Sequence, residues 1–193
     1  SQLEVADTIE NEGTLSPLTR ESVRLSHLID DLLALARIDS VPKHRHERVD
    51  LDHIVYDEAL LLRERTDLTV DTRGITACQI YGDASLLSRA VRNLLDNAAR
   101  HAASRITITV TSSTEMAELT FADDGPGIPE TERTRVLERF TRLDDARARD
   151  TGGVGLGLAI VNDVARLHGG RIDITDNAPG ACVTITLPVH GAD

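Results

Sequence analysis

Aromatic residues are scarce. Two tyrosines, two phenylalanines and no tryptophan make up 2% of 193 residues, so any core must be aliphatic. There are only two cysteines, Cys78 and Cys182. They are far apart and match no metal-ligand spacing, which argues against a structural zinc site or disulfide framework and suits a reducing, cytoplasmic compartment. Long apolar runs are missing: none approaches the roughly 20 residues of a membrane-spanning helix, and no signal peptide is recognisable. Positive charge is also short. Against 32 acidic residues stand 21 Lys and Arg, for a formal net charge of −11. That charge favours solubility and argues against general binding to nucleic acid or anionic membranes. What is present is 40% hydrophobic residues, enough for a sizeable core in a chain that suits one domain with a short appendage. The chain starts at Ser1 rather than Met and reads as a fragment.

Three segments are expected. Residues 1–39 read as a partial helical hairpin, broken by a turn at Gly13–Pro17. From Leu18 to Asp39 the apolar positions Leu25, Leu28, Ile29, Leu32, Leu35 and Ala36 fall near heptad spacing. This stripe reads as half of a dimeric four-helix bundle; the alternative is packing on the neighbouring domain. Residues 40–48 are a basic linker. Its His44 and His46 lack an evident third ligand, so no metal site is expected there. Residues 49–193 carry an α+β pattern. Short strands are expected at Val49–Leu51, Leu68–Thr72 and Cys78–Tyr81, with a helix at Asp52–Glu64. Asp83 caps a long helix to about Ala102. Arg105–Thr111 and Ala117–Ala122 alternate as half-buried antiparallel strands. A helix from Gly155 to Leu167 ends at His168-Gly169-Gly170, with His168 as a helix-end cation. A final hairpin turns at Asn177–Gly180.

Four local patterns carry chemistry. On the helix after Asp83, Leu86, Leu87, Ala90, Val91, Leu94, Leu95 and Ala98 form an apolar stripe. Asn93, Asn97, Arg100 and His101 share the opposite face at i, i+4, i+7 and i+8. That face fits either a metal and phosphates or plain solvent, with Asp96 and Arg100 as an i,i+4 ion pair. Asp123-Asp124-Gly125-Pro126-Gly127 follows a strand, as a tight ligand-hugging loop or a hairpin turn does. Gly152-Gly-Val-Gly155-Leu156-Gly157 opens a helix, and its bare amides suit phosphate. It is neither a Walker loop nor a Rossmann fingerprint. Between Gly127 and Gly152 a charged connection of about 24 residues reads as a lid, mobile without nucleotide, with Phe140 as a hydrophobic latch.

In this order the segments resemble the catalytic ATP-binding domain of bacterial sensor histidine kinases. Asn93-Leu-Leu-Asp-Asn97-Ala-Ala-Arg100-His101 is similar to the family's asparagine box. Asp123-Asp-Gly125-Pro-Gly127 is similar to its first glycine box. Glu138-Arg-Phe140-Thr-Arg142 is similar to the phenylalanine box, and Gly153-Val-Gly155-Leu156-Gly157 to the second glycine box. The resemblance covers about residues 49–190 and extends to the helix Arg24–Arg37, similar to the second helix of the dimerisation domain. It implies the Bergerat fold, an α/β sandwich whose mixed sheet is covered on one face by helices, preceded by the partial hairpin.

The resemblance also implies roles. Asn97 would hold Mg²⁺, supported by Asn93. Arg100, Arg142 and the glycines Gly153, Gly155 and Gly157, with Leu156 between them, would meet the phosphates of ATP. His101 would flank the nucleoside in place of a common tyrosine. Asp123 would accept from the adenine amino group, and Gly125 and Gly127 would let the chain pass close to the ring. Val154 stands where Thr or Ser is commoner. Implied partners are a response regulator and a second copy joined through the hairpin, with membrane attachment only through segments outside this sequence. The family's histidine box is absent, and His27 reads as a bundle residue rather than the phosphoacceptor. Rival readings are an ATPase or serine kinase of the same fold, and a nucleotide-binding docking module. Related ATPases carry a glutamate general base where Asn93 stands, and asparagine cannot take that proton.

Overall fold

The computed structural model describes Ile29, Leu33, Leu35, Ala36, Ile38, residues 47–141 and residues 155–190. The expected hairpin and the 40–48 linker lie almost wholly outside the described residues. The five described positions before the linker are helical: Leu35 is buried and Ile38 half-buried, while Ile29, Leu33 and Ala36 are exposed.

The elements follow in the order β1 (Glu47–Asp50), α1 (Leu51–Arg63), β2 (Thr69–Ile75), β3 (Gln79–Gly82), α2 (Ala84–His101), β4 (Arg105–Ser112) and β5 (Met116–Asp123). Two 3-10 turns come next, Glu130–Glu132 and Arg135–Leu137. Then come α3 (Gly157–Leu167), β6 (Arg171–Asp176) and β7 (Ala181–Pro188). β1 and β3 form a small antiparallel pair. The main sheet has five strands in the order β2-β4-β5-β7-β6, with β2 parallel to β4 and every other pair antiparallel.

Alternation along the strands decides which face is covered. Ile106, Ile108 and Val110 on β4, Leu119 and Phe121 on β5, and Val183, Ile185 and Leu187 on β7 are all buried. The intervening threonines line the other face, where Thr120 and Thr184 stand opposite one another with hydroxyls 3.3 Å apart. The three helices cover the apolar face. The seam between helices and sheet, lined by Leu51, Leu87, Leu119, Val164 and Leu187 among others, leaves a void of only about 10 Å³. That is one water at most, so a ligand site must lie elsewhere. Phe121 is the one buried aromatic, as the composition demands; Tyr56, Tyr81 and Phe140 are exposed.

Several local expectations shift. β2 runs to Ile75 rather than Thr72, because a register shift between Asp71 and Gly74 lets pairing with β4 resume. Gly74 fits there since a Cβ would lie 2.7 Å from Thr109 Cγ2. α3 starts at Gly157 rather than Gly155, because Gly155 takes the left-handed region at φ 77. α2 is capped as expected: the Asp83 carboxylate accepts from Ser85 N and Leu86 N at 3.0 and 3.1 Å. Its buried stripe, Leu86 to Ala98, is the predicted one.

α1 and α2 are joined by a half-enclosed ion pair. Arg92 donates to both Glu58 oxygens at 2.7 and 3.0 Å, and the Ser88 hydroxyl adds a bond of 2.8 Å. Burial pushes the Glu58 carboxyl up, but hydrogen bonds from Arg92 and Ser88 and the Arg92 charge outweigh it and hold it below its ordinary value.

Candidate functional site

The four motifs converge on one end of the α2–α3 pair. Asn93 lies beneath the first turn of α3: a Cβ placed on Gly157 would stand 3.8–3.9 Å from its side chain. The Asn93 amide nitrogen is buried and has no hydrogen-bond partner among the described residues. Such an orphan is rare in a folded chain and points to a missing acceptor. Asn97 follows one turn later and is half-buried, while Arg100 and His101 are exposed at the helix end. All four lie off the buried stripe of α2, and the i,i+4 ion pair of Asp96 with Arg100 is not formed. Asp96 is engaged by Arg65 from beyond α1 at 2.9 Å, not by Arg100, because the tertiary fold brings that guanidinium to its side.

The end of α2 meets the loop after β5. Gly125 packs so closely under the His101 carbonyl that a Cβ would fall 2.2 Å from its oxygen. Asp123 is buried at the end of β5. Its Oδ1 accepts from Gly125 N at 2.9 Å and Ala181 N at 3.3 Å, and its main-chain oxygen accepts from Asn177 Nδ2 at 2.8 Å. Oδ2 takes no hydrogen bond among the described residues, so one carboxylate oxygen is anchored and the other is left for a ligand donor. Gly127, at φ 76, passes 3.0 Å under the Gly180 carbonyl as measured from a built Cβ.

The neighbouring carboxylate does something else. Asp124 Oδ1 accepts from Ala103 N, Ser104 N and Arg105 N at 2.9–3.0 Å, and Oδ2 from the Ser104 hydroxyl at 2.5 Å. It ties the α2–β4 connection to the end of β5. The bonds from Ser104 and the surrounding amides hold its carboxyl well below the usual carboxylate range.

The phenylalanine and second glycine segments also touch. Phe140 N donates to Gly155 O at 2.9 Å, and a Cβ on Gly155 would lie 2.7 Å from Thr141 O. Phe140 sits at φ 66 and its side chain is 64% exposed. The Leu156 side chain is in the core, which leaves only its backbone for a ligand. Arg142 and Gly153 lie outside the described residues, as does His27.

The described part of the expected lid makes contacts with the rest of the domain. Val136 is buried, Arg133 bonds Ile128 O at 3.2 Å and Asp176 at 2.6 Å, and Arg139 bonds Asp163 on α3 at 2.9 Å. From Pro129 to Thr141 this segment is fastened to the domain, and these two arginines serve that fastening.

One further expectation missed its target, and another, the final hairpin, is observed but does more than turn the chain. His168 is not a helix-end cation. It is buried, its Nδ1 bonds Val164 O at 2.8 Å as donor, and Nε2 accepts from Asp83 N at 3.0 Å. A ring that accepts from a backbone N–H at Nε2 is neutral. The turn at Asn177–Gly180 read only as a hairpin, yet Asn177 and Ala181 are what hold Asp123. The asparagine at the start of that turn was the only local signal.

Among the described residues no three His, Cys, Asp or Glu side chains cluster as a metal site. Asn97 offers a single hard amide oxygen, which fits a cation that completes its shell with phosphate and water oxygens, as Mg²⁺ does. No described helix is long and apolar enough to cross a membrane.

The geometry agrees with what the chain is similar to. The profile of the histidine kinase-, DNA gyrase B-, and HSP90-like ATPases matches residues 82–191. The signal transduction histidine-protein kinase/phosphatase MprB of Mycobacterium leprae (strain TN) is 44% identical over 160 residues, 81% of this chain and 30% of that protein. The MprB of Mycobacterium sp. (strain KMS) is 42% identical over 176 residues, 89% of this chain and 33% of that protein. The chain thus spans about a third of the length of the curated relatives it matches. Among solved structures, a mycobacterial sensor histidine kinase MprB superposes with a TM-score of 0.66 at 39% identity, covering 76% of this chain and all of that one. The ATP binding domain of PrrB from Mycobacterium tuberculosis gives 0.62 at 32% identity, covering 77% of this chain and 98% of that one.

Proposed function

The chain belongs to the histidine kinase-, DNA gyrase B-, and HSP90-like ATPase family as a nucleotide-binding catalytic domain of the sensor histidine kinase type, and from that premise we propose that it transfers the γ-phosphate of ATP to a histidine on a dimerisation helix bundle, for relay to a response-regulator aspartate. The observation that carries this reading is Asn93, whose buried amide has no partner among the described residues beneath the start of α3. An amide there can donate to a phosphate oxygen but cannot deprotonate water, which favours transfer over hydrolysis.

The other residues take roles that suit this chemistry. The free Oδ2 of Asp123 accepts from the adenine amino group, while Gly125 and Gly127 let the backbone lie against the ring. Bare amides at Gly153, Gly155 and Gly157 meet the phosphates at the positive end of α3, with Arg100 and Arg142 adding charge. His101 and Phe140 flank the nucleotide. Asn97 and Asn93 would hold Mg²⁺, which neutralises phosphate charge when bound. The protein's work is positioning, as phosphoryl transfer requires. The partners are a response regulator and a second copy through the helical hairpin, in the cytoplasm, with membrane attachment outside this sequence.

The test is phosphate transfer in trans. The chain is incubated with labelled ATP, alone and with a kinase partner that keeps its histidine box but has lost nucleotide binding. Acid-labile, base-stable label on the partner, and none on this chain, is expected. ATP hydrolysis with no label on either chain would establish the ATPase reading instead, and label mapped to His27 would make that residue the acceptor.

A further inference from the structure

We infer that His168 is a positioning residue for the phosphate end of the nucleotide site: it pins α2 against α3 lengthwise and thereby sets how Asn93 stands beneath Gly157. This rests on the ATP-binding reading above. The two helices run antiparallel, and the structure gives a contact at each end. Asn93 meets Gly157 where α3 begins, and Asp83, the N-cap of α2, meets His168 where α3 ends. At about 1.5 Å rise per residue the two spans are matched, each roughly 15–17 Å long. A displacement at the His168 end therefore reappears at the Asn93 end.

Much of the rest of the seam is apolar. Leu87, Ala90, Val91, Val164 and Ala165 face one another across it. Apolar contact is non-directional, so it aims no atom of one helix at a fixed point on the other. A hydrogen bond is directional, and that of His168 is doubly constrained. Donation from Nδ1 to Val164 O, on its own helix, fixes the ring plane and leaves the Nε2 lone pair aimed at Asp83 N, 3.0 Å away. Gly82 closes the other side: a Cβ there would lie 2.7 Å from His168 Cδ2 and 2.8 Å from Nε2, so the seat accepts this ring only beside a glycine. The adenine end is held separately, since Asp123 is anchored by Asn177 and Ala181 from the β6–β7 turn. Loss of the pin should therefore be felt by phosphates and not by the base.

The experiment compares ATP with adenosine. Affinities for both are measured on the wild-type chain and on His168→Leu, His168→Gln and Gly82→Ala, with thermal melting of each. His168→Leu removes the acceptor, and His168→Gln keeps one at similar reach. Gly82→Ala pushes the ring from the opposite side. His168→Leu and Gly82→Ala are expected to weaken ATP about tenfold with adenosine unchanged, and His168→Gln to stay within about twofold. ATP and adenosine weakening together, or neither weakening, would overturn the inference. If His168→Leu does not fold, Gly82→Ala against His168→Gln carries the same comparison. Wild-type protein that bound neither ligand would overturn the nucleotide reading itself, and the role given to His168 with it.

Discussion

Asn93 sits under Gly157 with its amide nitrogen buried and without a hydrogen-bond partner among the described residues. An unsatisfied buried donor costs about 1–3 kcal/mol. Asn93→Ala should therefore leave the melting temperature unchanged or higher, helped by about 0.5 kcal/mol of helix propensity, while ATP affinity falls. Differential scanning calorimetry with an ATP titration checks both. A clear loss of stability without loss of affinity would make Asn93 a structural residue.

Asp123→Asn tests the adenine contact. An amide presents one acceptor where the carboxylate has two, and it carries no charge. Loss of one charge-assisted hydrogen bond should weaken ATP by about 1.5–3 kcal/mol. Unchanged affinity by titration calorimetry would remove Asp123 from the site.

Asp124 should report on acid stability. Its carboxyl is held below its ordinary value of 3.8 by bonds from Ser104 and the amides of Ser104, Arg105 and Ala103. A depressed native pKa contributes stability that is full above the unfolded value. That contribution is lost as pH falls below about 4 toward the native one. Urea midpoints of the wild type should thus drop below about pH 4 by an increment that Asp124→Asn lacks. Parallel pH curves for the two proteins would contradict this.

Glu58→Gln should loosen α1 from α2. The Arg92 guanidinium keeps one neutral acceptor and loses its counter-charge, and Arg92 is partly open to solvent. A loss of about 1–2 kcal/mol is expected from chemical denaturation, with the same sign for Arg92→Met. An additive double mutant would show that the two side chains do not interact.

The first part of the connection between Gly127 and Gly152 should be protected from amide exchange without nucleotide. Val136 is buried and Arg139 is tied to Asp163. Asp163→Ala should raise exchange around Val136 and Arg139 specifically. Exchange as fast as in a free peptide over 129–141 in the wild type would restore the fully mobile lid that charge density alone suggested.

Much of this was legible in the residue order because it is local. Period-two runs at 105–111 and 117–122 dictated half-buried strands, and the stripe from Leu86 to Ala98 dictated which face of α2 is inside. Asp83 before that helix, and glycines after the next, marked ends that the backbone itself imposes. The four motifs named the family, since each needs only a short stretch of chain.

What the sequence could not assign was every role that depends on a distant partner. Asp123 and Asp124 are adjacent and chemically identical. The resemblance pointed to Asp123 as the ligand carboxylate, but only the fold shows that Asp124 is a clamp, because the 103–105 amides reach it, and that Ala181 N and the Asn177 amide anchor Asp123. His168 looked like a cation at a helix end until the Asp83 N–H arrived at its Nε2. An Asp96–Arg100 pair within the helix was one open reading until Arg65 reached Asp96 from just beyond α1. Helix and strand periodicity arises from the geometry of the chain itself, so composition and order determine it. A hydrogen-bond partner tens of residues away is delivered only when the sheet and helices have packed, and that step decided which polar side chains hold the fold and which are left for a ligand.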